Sequence, residues 1–190
     1  LTAAAREAGF TLSARRAQHL AAFAPGAASG ARVMLGSGGI AETAFDRLIL
    51  RHLPAAPPPP LAVWGDAPQG TANWGDWLIE WRAGIAGTTD RVSFVTWVTP
   101  GPGEVRAPRT GERLRPLGFH GHRPLARLLM EARIPRSDRP SYPVLCRAGS
   151  PLWLPGVCRS DCCVPSVGAL AVRLEARRLT SGVGLPGDPG

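Results

Sequence analysis

Lysine is missing altogether. All 22 basic residues are Arg, set against 14 acids, so the formal net charge of +8 rests on guanidinium groups alone. With the abundance of Ala and Pro, this reads as a GC-rich coding bias, and Arg in place of Lys is not in itself a functional choice. Long apolar runs are missing too. None approaches the roughly 20 residues that a membrane-spanning helix needs, and no secretory signal pattern opens the chain. No membrane partner is therefore expected, and a cytoplasmic location is. Cysteine is scarce: Cys146, Cys158, Cys162 and Cys163 make four, and "CRSDCC" has C-x3-CC spacing where structural zinc sites use paired C-x-x-C. No His follows. No metal site is expected, and the four read as reduced, partly buried thiols.

What is present suits a globular chain. Its 190 residues are 44% apolar, with 20 Pro and 23 Gly, enough for one domain or two small ones rich in turns. The charge is unevenly spread. Residues 1–60 carry six Arg against three acids, and 61–103 carry two against four. Residues 104–139 carry nine Arg against four acids, with His120 and His122 in addition. An excess of positive charge favours acidic partners, and this stretch is where it is densest.

Residues 1–24 read as helix, broken at Gly9 and restarted with Ser13 as N-cap. Ala17, Leu20, Ala21 and Ala24 share one face, and His19 reads as a helix-surface residue. "LTAAAREAGF" begins as if already inside a helix, which suggests a fragment. "RVMLGSGGIAETAFDRLILRH" reads as a pair of strands about a glycine turn. The Ser37-Gly38-Gly39 triplet resembles the start of the Ser-Gly-Gly-x-Asp-Ser phosphate loop of ATP pyrophosphatases. Ile40-Ala41-Glu42 follows, so the Asp and second Ser are missing, and a hairpin tip accounts for the glycines. "LPAAPPPPL" (53–61) is a polyproline-like spacer and the best internal boundary. Beyond it, Trp77, Ile79 and Trp81 alternate with Leu78, Glu80 and Arg82, a strand with its aromatics in the core. "RVSFVTWVT" is a further strand, with Val92, Phe94 and Val98 on one side.

The basic stretch contains "RLRPLGFHGHRPLARLLMEARIPRSDRP". Arg113 and Arg115 flank Leu114 in strand-like alternation, and Gly118 and Gly121 let the backbone turn sharply. Pro124 suits the first turn of a helix whose Leu125, Leu128, Leu129 and Ala132 form a buried stripe of about three turns. Arg136 and Arg139 flank its exit. Guanidinium forks hold phosphates bidentately, so the cluster suits a polyanion. Composition alone leaves that reading level with a solvated Arg-rich surface.

A resemblance separates the two. "RAPRTGERLRPLGFHGHRPLARLLMEARIPRSDRPSYPVL…PLWLPGVCRS" resembles the C-terminal domain of tRNA(Ile)-lysidine synthetase. Gly111, Arg113, Arg115, Pro116, Leu117 and Gly118 match that family's Gly-Asp-Arg-x-Arg-Pro-Leu-Gly run. Gly121, Ile134, Pro135, Arg136, Arg139, Pro143, Trp153, Pro155 and Gly156 match the turn, the Pro-Arg helix end and the Trp-x-Pro-Gly run that complete the pattern. The likeness is specific over about 109–160 and looser over 9–50. Glu112 replaces the usual Asp, Arg123 or Pro124 stands where Lys is common, and "CRSDCC" is unusual. The family's ATP pyrophosphatase domain is absent from the sequence and is expected upstream or lost.

The family implies an ATP-dependent ligase. ATP, with Mg2+, adenylates the wobble cytidine of a CAU-anticodon isoleucine tRNA, and L-lysine displaces AMP to give lysidine. That chemistry is implied for the missing domain, so this fragment has no cofactor and no catalytic residue of its own. Its implied task is tRNA recognition, chiefly of the acceptor stem. Arg113, Arg115, Arg123, Arg136 and Arg139 are the expected phosphate or ribose contacts, and His120 and His122 the expected hydrogen-bond partners. A stand-alone RNA-binding module is the alternative. The expected fold is α+β: a helical and hairpin linker (1–60), a β-rich layered domain with one packed helix (61–180), and a flexible tail (181–190). The implied domain fold is one shared with part of phenylalanyl-tRNA synthetase.

Overall fold

The computed structural model describes residues 1–7, 9–36, 38–52, 56–65 and 67–179. The expected tail at 181–190 lies outside the described residues, as do Ser37 of the glycine turn and 53–55 of the Pro-rich spacer. The chain forms two compact units: 1–56 with 129–140, and 57–128 with the residues from 141 onward. The sequence places the boundary at 60/61 and keeps 129–140 within 61–180. The structure groups that segment with the N-terminal residues instead, and the reason is a set of buried polar contacts around Glu42.

In the first unit, α1 (Thr2–Glu7) and α2 (Ala14–Phe23) are separated at Gly9, which adopts a left-handed φ of 80°. Ser13 caps α2, its hydroxyl accepting from the Arg16 N–H at 3.3 Å. Of the expected apolar face only Leu20 is fully buried, and Ala21 is exposed. The run read as a pair of strands is a three-stranded antiparallel meander: β1 (Arg32–Gly36), β2 (Gly39–Ala44) and β3 (Arg47–His52). "RLILRH" pairs with β2 along its whole length, from Ala44↔Arg47 to Gly39↔His52. The second turn is tight enough to put Phe45 at a φ of 58°. Ala5, Phe10, Leu12, Leu20, Leu35 and Ala41 make the core. Gly39 is required there, because a Cβ would meet the Phe10 ring at 2.4 Å.

The second unit is built of antiparallel strands. In chain order they are β4 (Leu61–Trp64), β5 (Gln69–Trp74), β6 (Trp77–Ile85), β7 (Val95–Val98), β8 (Gly103–Arg106), β9 (Arg113–Leu114) and β10 (Arg123–Pro124). After α3 (Leu125–Glu131) come β11 (Val144–Arg147), β12 (Ser150–Leu154), β13 (Cys158–Arg159) and β14 (Leu170–Arg178). One sheet has the order β13-β12-β11-β8-β4, a second β5-β6-β14-β7, and β9 pairs with β10 as a ribbon. The β5–β6 hairpin runs from Trp74↔Trp77 outward, and β14 pairs with β6 over nine residues. Trp74, Trp77, Ile79, Val105, Leu145, Leu152, Trp153 and Leu174 are buried. Trp153 donates its indole N–H to the Ser93 carbonyl at 3.2 Å, and Tyr142 meets the Trp77 ring edge-on at 5.4 Å. The architecture is α+β and β-rich, with aromatic packing at its centre.

Two expectations are corrected. Val92 and Phe94 do not share a buried face with Val98; both are more than half exposed, and the strand begins only at Val95, burying Thr96 and Val98. The helix after Pro124 has seven residues, about two turns. It buries Leu125, Leu128 and Leu129, but Ala132 is exposed because Arg133, at a left-handed φ of 56°, closes the helix before it. Pro124 itself belongs to β10.

Candidate functional site

The basic stretch of the second unit stands on a buried ion pair. Arg106, only 2% exposed, grips Glu112 with both terminal nitrogens and also donates to the Gly149 carbonyl at 2.9 Å. Glu112 accepts from the Arg109 N–H at 3.0 Å, closing the turn that leads into β9. Its own carbonyl receives the Leu125 N–H at 2.9 Å, which ties the start of α3 to the same point. Burial alone would raise the Glu112 carboxyl; the Arg106 hydrogen bond, the Arg109 N–H and the field of both guanidiniums outweigh it, so the pKa is lowered.

That shift has a sign. The folded pKa lies below the unfolded one, so the stabilisation is present above the ordinary carboxylate range and is lost as pH falls through the folded value. Glu112→Gln is expected to destabilise the second unit by about 1–3 kcal/mol at neutral pH. It should also flatten the loss of stability below about pH 4. Urea midpoints at neutral and acid pH check both; an acid dependence equal to wild type would remove Glu112 from its cause.

From this base the loop 115–122 projects, and its ends are fixed. β9 and β10 pair in the register Leu114↔Arg123 and Arg113↔Pro124. Leu114 is 3% exposed, while Arg113 and Arg115 on either side are exposed, as the alternation implied. Pro116 bridges to Ser160, and the Leu117 N–H donates to the Arg159 carbonyl at 2.8 Å. Gly118 and Gly121 have φ of 76° and 88°, the left-handed turns that side chains disfavour.

The expected site residues fall into two groups. Arg113, Arg115, His120, His122 and Arg123 belong to the second unit, and Arg136 and Arg139 to the first. The Arg113 guanidinium donates to the His122 carbonyl at 2.8 Å, and no carboxylate among the described residues pairs with it. Arg115 pairs with Asp161, whose N–H also donates to the Arg115 carbonyl at 3.1 Å. His120 and His122 are exposed, and Arg123 is half-buried in β10. In the first unit Arg136 is exposed with its stem against Gly30, and Arg139 donates to the Ile134 carbonyl at 2.9 Å. Burial, then the nearby Arg136, lowers the Arg139 pKa. Among the described residues no group of three or more His, Cys, Asp or Glu side chains gathers as a metal site.

Two features have little signal in the sequence. Phe119, 49% exposed at the loop tip, lies under the Arg91 guanidinium at 4.5 Å, a cation–π pair between distant parts of the chain. Its only local sign is an apolar ring inside a Gly- and His-rich turn. Several Arg residues are also consumed by the fold. Arg147 donates to the Thr99 hydroxyl and to the carbonyls of Thr99, Gly101 and Pro102. Arg159, fully buried, donates to Thr96, Leu152, Ser160, Trp97 and Cys163. Charge counted along the sequence does not distinguish such internal clamps from surface cations.

Residues 104–166, which hold this loop, its ion-pair base and β11 to β13, match the family model described as the TilS substrate C-terminal domain. The tRNA(Ile)-lysidine synthase of Symbiobacterium thermophilum is 40% identical over 86 residues, covering 45% of this chain and 18% of that protein. The tRNA(Ile)-lysidine synthase of Geobacter sulfurreducens is 29% identical over 126 residues, covering 62% and 27%. A crystal structure of a TilS C-terminal domain aligns with a TM-score of 0.48 at 25% identity, over 56% of this chain and 87% of that one. The family model and the two relatives point the same way: residues 104–166 are similar to the C-terminal domain of lysidine synthetases. The chain spans less than a third of the length of either relative.

Proposed function

We propose that this chain is the tRNA-gripping portion of an ATP-dependent ligase that joins lysine to the wobble cytidine of a CAU-anticodon isoleucine tRNA. In this reading the loop of the second unit meets the acceptor stem. Arg113, Arg115 and Arg123 take phosphate or ribose oxygens, and His120 and His122 hydrogen-bond beside them. Arg136 and Arg139, which belong to the first unit, are proposed as separate phosphate or ribose contacts. ATP, Mg2+ and lysine belong to the catalytic domain of the full-length family, and no residue of this chain is assigned to them.

The observation that carries the reading is the pinned ribbon. Leu114 turns inward, so the guanidiniums on either side of it turn outward, on a backbone fixed by Glu112 and Arg159. An A-form stem is recognised through its backbone shape and 2′-hydroxyls, which asks for rigidly placed donors more than for a pocket. The Asp161 partner of Arg115 does not oppose this. The pair is open to solvent, and such pairs are worth only about 0–1 kcal/mol, so a phosphate can replace the carboxylate.

An Arg113→Ala/Arg115→Ala double variant, compared with wild type for tRNA affinity across a salt series, tests the assignment. The expected result is an affinity about tenfold or more lower, with a salt dependence flatter by roughly two counterions. Equal affinity and equal slope would show that the loop is not the contact surface.

A further inference from the structure

Beside the loop's anchoring strand lies a pair of thiols that tRNA recognition does not use. The Sγ atoms of Cys162 and Cys163 are 3.2 Å apart; Cys162 is exposed and Cys163 half-buried. Their backbone is held from several sides. The Cys162 N–H donates to the Ser160 hydroxyl at 3.1 Å. The Cys163 carbonyl accepts from the Thr99 N–H at 3.1 Å and from the buried Arg159 guanidinium at 3.1 Å. Cys163 is one of the few non-glycine residues in the left-handed region, with φ 57°. Such a conformation persists only where surroundings enforce it. The remaining thiols differ in exposure: Cys146 and Cys158 are buried, and burial raises both, Cys146 to about 12. The Cys162 thiol is raised too, by its hydrogen bond with Cys163, so its attack quickens as pH rises.

We propose that Cys162 and Cys163 form a reversible redox modification site, a vicinal dithiol that a small-molecule disulfide oxidises to a vicinal disulfide. The exposed sulfur attacks first. The Cys162 thiolate, having lost its proton to solvent, displaces one thiolate from the disulfide and forms a mixed disulfide. The Cys163 sulfur, already in contact, then attacks the Cys162 sulfur, loses its proton and expels the second thiolate. Two electrons pass from the dithiol to the reagent, which leaves as two thiols.

The product is built to be reopened. Adjacent Cα atoms are about 3.8 Å apart, below the roughly 4.4–6.8 Å of ordinary disulfides, so the small ring is strained and yields readily to an added thiol. The site also adjoins Asp161, which holds Arg115 through its carboxylate and its N–H. Closure of the ring therefore falls next to one cation of the loop. The chemistry itself stands whether or not that loop binds tRNA.

The test uses the full chain, folded, incubated with oxidised glutathione, then denatured, alkylated and digested with trypsin. Both cysteines fall in the peptide 160–173, separate from Cys146 and Cys158. The expected result is that this peptide escapes alkylation and is lighter by two hydrogens, while Cys146 and Cys158 are alkylated; dithiothreitol reverses the change. A Cys163→Ser variant is expected to stop at a glutathione adduct on Cys162. Full alkylation of the 160–173 peptide in wild type would overturn the proposal. So would oxidation of Cys146 or Cys158 at a similar rate, since the reaction would then not be set by this site.

Discussion

Glu42→Ala is expected to lower the stability of the first unit by about 2–3 kcal/mol, because the buried Ser137 N–H loses its acceptor and the part-buried Arg51 loses one of its two carboxylates. Glu42 lies in the middle of β2 and is fully buried, an unusual place for a carboxylate in a short meander. It is held there by several donors. Arg51 on β3 reaches it at 3.4 Å, Arg32 on β1 at 3.8 Å, and the backbone N–H of Ser137 at 3.2 Å. Arg51 also grips Asp138. One carboxylate thus gathers the three strands and the 136–139 segment, which explains why residues distant in sequence belong to one compact unit.

Graded variants separate charge from shape. Glu42→Gln keeps an acceptor for the Ser137 N–H but not the charge that answers Arg51, and should cost about half as much as Ala. The readout is favourable, because all six Trp residues are in the second unit, whereas α1 and α2 are in the first. The helical circular dichroism signal should shift to lower urea, by much more than Trp fluorescence does. A shift in the helical signal worth less than about 1 kcal/mol, the level of an exposed pair, would show that Glu42 does not hold this unit together.

The parts legible in sequence are those with local physical rules. Ser13 announces its cap, the glycines around 36–39 their turn, and Leu114 between two Arg its inward side. The parts that are not legible depend on partners far away. "FDRLILRH" carries no alternation sharp enough to separate it as a strand, and β3 exists because β2 offers an edge. Val92 and Phe94 look like core residues in a β-branched run, yet the chain is still outside the sheet there. The basic stretch divides between units because Ser137 and Asp138 bind residues some 90 positions earlier, a fact no window of neighbours contains. Arg106 and Arg159 show the same limit from the other side. In composition they are surface charge, and in the structure they are internal struts.

Arg159 gives the sharpest case. A change to Lys is expected to destabilise the second unit more than a change to Met, by about 3–5 kcal/mol against about 1–3. The guanidinium is wholly buried, and burial pushes its pKa down to about 10, so the charge is held at a cost. Its hydrogen bonds offset that cost. Nε meets the Thr96 hydroxyl at 3.1 Å, Nη1 the Leu152 and Ser160 carbonyls at 3.0 and 2.8 Å, and Nη2 the Cys163 carbonyl at 3.1 Å. These acceptors fan out around a planar fork. An ammonium is a compact and strongly hydrated charge that cannot span them, so Lys keeps the desolvation penalty and loses most of the bonds. Met removes the penalty with the charge, and several acceptors retain other donors: Leu152 still receives the Ser160 N–H at 2.8 Å, and Cys163 the Thr99 N–H at 3.1 Å. Trp fluorescence in urea measures the order of the two variants. Should Lys prove the milder change, the charge and not the fork would be what the site requires, and the view of Arg159 as the strut behind the loop would fall.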